Sequence, residues 1–224
     1  MTPTGWNRIG AGSGIAFAVL VPTGFTIAFA GSTVTDLGSS RATIAKVFAT
    51  PAPTRVWVGE YLEVVALLLF AVFAARMRTS LRRVEGQAGW LSATAFGLAL
   101  VFVATSLVSF ATTGAAYYRA GHGIDLQVAR ALTDVGSFVQ TINSGVIGLF
   151  LAVTAAAISA LGAFNRWFGR AAAVLVAIFF VAMALPKSGI GEGAQVLFSL
   201  WVIALSIAML REVEPATPPE QAQP

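Results

Sequence analysis

Apolar residues fall in six long runs separated by short polar stretches, and run length decides what they are. A helix needs about 20 apolar residues to cross a hydrocarbon core about 30 Å thick. Runs from about Gly14 to Gly31, Trp57 to Ala75, Trp90 to Thr113, Trp167 to Leu185 and Ala194 to Leu210 approach or reach that length. A sixth span is placed at 142–162, within the longer stretch from Val135 to Phe164. The pattern predicts an all-α, polytopic transmembrane bundle of about six helices over residues 1–213. A polar tail at 214–224, rich in Pro, Glu and Gln, is expected to be disordered.

The first run contains Pro22 and Gly24, which membrane helices tolerate, and a kink near Pro22 is expected. Its rival reading is a cleaved signal peptide, because Arg8 precedes the run and Ala28-Phe29-Ala30 has a small-x-small pattern. Five further spans favour a retained helix. Trp6, Trp57, Trp90 and Trp167 fall near span ends, where an amphipathic ring prefers the headgroup layer. Trp201 lies inside the last span, where packing or lipid contact explains it.

The connection from Ser32 to Val56 is long enough for an element of its own. Ser39 or Ser40 is placed to cap a short helix whose Ile44, Val47 and Phe48 form one apolar face, ended by Ala49-Thr50-Pro51-Ala52-Pro53. Asp125, after the turn Gly121-His122-Gly123, is placed to cap the helix leading into the fourth span.

Composition narrows the chemistry. The chain is 57% hydrophobic and 11% charged, against about 25% charged in a soluble domain. With no cysteine and one histidine, thiolate, iron–sulfur and multi-histidine metal chemistry within one chain are excluded, and no metal or cofactor is expected. The +4 formal charge is not that of a nucleic-acid reader, since the basic residues flank apolar spans instead of covering a soluble face.

Those basic residues predict orientation. One side holds Arg8, Arg76, Arg78, Arg82, Arg83, Arg166, Arg170 and Arg211, eight cations against the four acids Glu85, Glu212, Glu214 and Glu220. The other side balances six against six. Lys and Arg are retained on the cytoplasmic side, so both termini are expected there.

Most other ionisable groups gather at the opposite, external level. Glu60 and Glu63 are three residues apart and share a helix face. Two nearby carboxylates in a low-dielectric site resist simultaneous ionisation unless a cation such as Arg55 or Lys187 compensates. Thr105, Ser109 and Thr112 recur at helical spacing before Tyr117, as do Asp134, Ser137, Thr141 and Ser144, with Gln140 and Asn143 alongside. Lys187, Ser188, Glu192 and Gln195 complete the layer. A polar pocket is therefore expected there, with Arg55, Glu60, Glu63, Ser109, Thr112, Tyr117, Ser137, Thr141, Lys187 and Glu192 as ligand-binding candidates. Glu60, Glu63 and Asp134 are the candidates for acid–base catalysis. The bland alternative is that the hydroxyl faces pack helices together. No phosphate loop, nucleophile elbow or zinc motif is present.

Pro22 in the first helix, the Arg55-Val-Trp-Val-Gly-Glu-Tyr61-Leu-Glu63 entry to the second, the Arg-rich connection after it and the Asn165-Arg-Trp-Phe168 entry to the fifth resemble a group of small, uncharacterised six-span membrane proteins of high-GC bacteria. The resemblance covers most of the chain and implies an inner-membrane location, with no activity to carry over. Three readings stay open. One is binding or transport of a small or amphiphilic ligand. Another is an intramembrane enzyme acting on a lipid-like substrate. The last is an accessory subunit that binds a membrane-protein partner or another copy of itself.

Overall fold

The computed structural model describes residues 3–212, so the tail predicted at 214–224 lies outside the described residues. The described chain forms seven helices: α1 (Pro3–Phe29), α2 (Arg41–Phe48), α3 (Thr54–Glu85), α4 (Trp90–Arg119), α5 (Leu126–Leu161), α6 (Arg166–Ala184) and α7 (Ile190–Glu212). All but α2 are long and apolar enough to cross a membrane. The protein is a multi-pass membrane protein.

The six long helices close into a ring. α1 packs on α3, each helix from α3 to α7 packs on the next, and α7 returns to α1. Several helices outrun their apolar windows, because a helix satisfies its own backbone and continues where the side chains turn polar. Thus α3 carries ten residues beyond Ala75, to Glu85, and α5 begins at Leu126 on its Asp125 cap. Asp125 Oδ1 accepts from Gln127 N at 2.8 Å. α1 passes through Pro22 without interruption.

Phenyl rings fill the ring's interior. Phe70 of α3 is the hub, with Phe17 at 4.7 Å, Phe102 at 5.5 Å, Phe198 at 5.8 Å and Phe150 at 5.9 Å between centroids, mostly tilted or edge-on. Such geometries suit the ring quadrupole. Trp201 is part of this core, 3% exposed, its Nε1 donating to the Phe168 carbonyl at 3.2 Å. Leu68, Val72, Leu100, Leu149, Phe180 and Leu200 point outward, as lipid requires.

Lipid tails supply no hydrophobic drive for helices to associate, so contact depends on close approach and hydrogen bonding. α1 and α3 cross at Gly24 and Gly59. A Cβ on Gly24 would come within 2.7 Å of the Gly59 carbonyl, and one on Gly59 within 2.8 Å of Ala28 N. Only glycine permits that crossing. α4 and α5 are joined instead by polar groups, as described below.

α2 covers one end of the bundle. Ser40 caps it, its hydroxyl accepting from Thr43 N at 3.1 Å. Ile44 and Phe48 turn inward onto Val56, Ala116, Tyr117 and Ala129. The opposite end holds the start of α1 and the end of α7, with Gly10 against Arg76 and Gly14 against Ser206. Trp6, Trp90 and Trp167 are exposed at that end and Trp57 at the α2 end.

Candidate functional site

Beneath α2, where α3 passes between α1 and α4, two carboxylates are turned into the protein. Glu63 is 7% exposed, and its Cγ stands 2.8 Å from where a Gly24 Cβ would be. The glycine that lets α1 approach α3 thus also makes room for the Glu63 stem. Glu60, one turn nearer α2, is half-buried on the α4 side. Its Oε2 lies 3.3 Å from a notional Cβ on Gly114, with Trp57 behind it. The two carboxyls are close enough to interact electrostatically.

Tyr117 closes this group from above. It is 6% exposed, its ring tilted against that of Phe48 of α2 at 5.2 Å between centroids. Its hydroxyl faces Thr35 of the α1–α2 connection and feels the Glu60 charge. The site is therefore built by α1, the α1–α2 connection, α3 and α4, with α2 as its roof.

Depth follows from helix rise. Thirteen residues separate Glu63 from Arg76, roughly 20 Å along α3 at 1.5 Å per residue. Glu63 thus lies well inside a helix long and apolar enough to cross a membrane. Among the described residues it has neither a hydrogen bond nor an ion pair. Arg55, the nearest cation in sequence, donates from Nη2 to Ser32 Oγ at 2.6 Å. The ion pair among the described residues joins Arg130 to Asp134 at 3.7 Å on the exposed side of α5.

The other sequence candidates are placed elsewhere. Ser109 donates to the Gly136 carbonyl at 2.9 Å, and Thr112 to the Ser109 carbonyl at 2.8 Å. Thr141 turns back onto the Ser137 carbonyl at 3.1 Å. Asn143 is wholly buried, donating to Ser106 Oγ at 3.0 Å while its Oδ1 meets the Thr105 hydroxyl. These groups bond α4 to α5 or satisfy their own helix. Asp134, Ser137, Thr141 and Ser144 are each only half-buried, because the inward face of α5 runs one residue earlier, through Thr133, Gly136 and Asn143. Lys187 and Glu192 are exposed at the α6–α7 turn, where Lys187 approaches Gly38. The layer expected from sequence thus divides into a carboxylate site, a helix seam and a surface turn.

Three contributors were missed by sequence reasoning: Gly24, Gly114 and Thr35. Gly24 had a detectable signal in its small-x-x-x-small spacing with Ala28. Arg76, counted with the loop arginines, is 6% exposed inside the bundle, its Nη1 donating to Ser80 Oγ at 2.6 Å. No group of three or more potential metal ligands is present among the described residues.

Two open clefts lie away from the carboxylates. One, about 310 Å³, is apolar and runs between α2 and the α4–α5 turn. The other, about 460 Å³, lies between α3 and α4 at the arginine-rich end. Comparison with protein-family models, with curated proteins and with solved structures gives no match, so the functional reading rests on this geometry.

Proposed function

We propose that this is a bacterial plasma-membrane protein with both ends of the bundle chain cytoplasmic, which binds a small amphiphilic cation at Glu60 and Glu63 from its external half. The observation that carries the reading is Glu63: a nearly buried carboxyl at membrane depth with no partner among the described residues. An ionisable group costs several kcal/mol there, and such residues usually mark a ligand or ion path. Two carboxyls without an adjacent cation are complementary to a positive group. Gly24 makes room for the Glu63 stem and Gly114 lies beside the Glu60 carboxyl, and the Trp57 ring next to Glu60 is of a kind that attracts cations. The aromatic core below the site closes the bundle axis, which supports binding over an open channel.

The test uses two ions of equal size and opposite charge. Tetraphenylphosphonium is expected to raise the unfolding temperature of the full chain in nanodiscs, and tetraphenylborate to leave it unchanged. The Glu63→Gln variant should lose the response. Equal responses to both ions, or an undiminished shift in Glu63→Gln, would overturn the reading.

A further inference from the structure

The cleft between α3 and α4 at the arginine-rich end is lined by Ala75, Arg78, Thr79, Arg82, Arg83 and Phe96 and encloses about 460 Å³. Arg78, Arg82 and Arg83 lie at i, i+4 and i+5 on α3. A topogenic cluster would need only to be basic and solvated; this one is shaped. Arg78 is half-buried, its guanidinium carbon 5.3 Å from the centre of the Phe96 ring on α4, within cation–π range. Arg82 reaches across the turn, its Nη1 3.6 Å from a notional Cβ on Gly89. All three arginines line the cleft.

None of the three has an ion pair among the described residues. The acid best placed to neutralise them is Glu85, but both its oxygens are occupied at the start of α4, accepting from Leu91 N at 2.7 Å and Ser92 N at 3.0 Å. The sequence thus caps α4 with its local carboxylate; Glu85 still feels the Arg82 charge and Glu212 of α7 that of Arg83, but neither acid forms a close ion pair with the three arginines among the described residues. Toward the bundle's middle the cleft changes character: Ala75 and Phe96 are apolar, and the neighbouring Val72 faces outward. Charge at the rim and apolar surface toward the core is the polarity of a phospholipid in one leaflet. Guanidinium forks match phosphate oxygens geometrically, and basic clefts between membrane helices hold anionic head groups.

We infer that this cleft binds a phosphate group, with Arg78, Arg82 and Arg83 as its ligands and Ala75 and Phe96 receiving the start of an acyl chain when the phosphate belongs to an anionic phospholipid. The site lies at the other end of α3 from Glu60 and Glu63 and is independent of what they bind.

The test follows the unfolding temperature of the full chain in a neutral detergent during titration with phosphatidylglycerol, phosphatidylcholine or inorganic phosphate. Phosphatidylglycerol is expected to stabilise at concentrations at least tenfold below phosphatidylcholine. The Arg78→Gln/Arg82→Gln/Arg83→Gln variant should abolish that preference, whereas Arg166→Gln/Arg170→Gln, which removes charge from the same end outside the cleft, should keep it. Ala75→Trp, which fills the cleft without changing charge, should also weaken the lipid response. Stabilisation by inorganic phosphate alone, lost in the triple variant, would assign the site to a free phosphate. Equal responses to the two lipids without a phosphate response, or a preference that survives the triple variant, would overturn the inference.

Discussion

Replacing Glu63 with methionine should make the protein more stable and end cation binding. Methionine matches the length of the glutamate stem and fills irregular space without a polar end. In the folded protein Glu63 is 7% exposed, packed beside Gly24 and unpartnered among the described residues. The fully buried unpartnered side-chain atoms among the described residues are Arg76 Nε and Ser206 Oγ, so the Glu63 oxygens keep some accessible surface. An unsatisfied buried polar group costs about 1–3 kcal/mol, and Glu63→Met recovers part of that cost while keeping the contact with α1. The expected gain is about 1 kcal/mol, the lower end of that range, in a denaturant or thermal titration of the full chain in detergent micelles. A carboxylate that holds helices together behaves in the opposite way, since its removal strands a partner. Destabilisation by about 1 kcal/mol or more would refute the assignment of Glu63 to ligand binding and make it a structural residue.

Asn143 supplies the contrast: it is just as buried, but its amide bridges Ser106 and Thr105, so Asn143→Leu should destabilise by about 1–2 kcal/mol, the range of interhelical hydrogen bonds in membranes, in the same titration. Gly59→Val places a side chain where Ala28 and the Gly24 carbonyl already stand. A destabilisation of about 1–3 kcal/mol from overpacking is expected, together with weaker cation binding as α1 moves away from Glu63. Because the chain has no cysteine, orientation is readable from single introduced thiols. Gln87→Cys in the α3–α4 turn should resist a membrane-impermeant maleimide added outside intact cells, and Ser188→Cys in the α6–α7 turn should react; the reverse pattern would invert the proposed orientation.

The spans were legible because run length against bilayer thickness needs no knowledge of partners. α2 was legible too: Ser40, Ile44 and Phe48 carry a cap and one apolar face in eight residues. What the sequence concealed was rotation. In water a polar stripe faces solvent, but in a membrane helix it faces neighbours, and Asp134-Ser137-Thr141-Ser144 reads much like the face one residue earlier. Asn143 and Gly136 take the inward position because an amide and a missing side chain meet α4 at hydrogen-bonding distance. Glu60 and Glu63 stood out as acids within an apolar run. Gly24 and Gly114, which make space for them, carry no chemistry of their own and emerge only when α1 and α4 are seen against α3. The arginines were read by charge, while the cleft they form depends on Phe96 from a different helix and on Glu85 being engaged elsewhere.

Equilibrium dialysis of labelled tetraphenylphosphonium against the full chain in nanodiscs tests the central claim most directly. Saturable binding of about one cation per chain is expected, weakened at least tenfold in Glu63→Gln and also reduced in Glu60→Gln, since unit charges about 4–6 Å apart attract by roughly 3–4 kcal/mol at an effective dielectric of about 20, more than a tenfold change requires. Binding that is unsaturable, or equal in the wild-type chain and Glu63→Gln, would contradict a ligand site at these carboxylates.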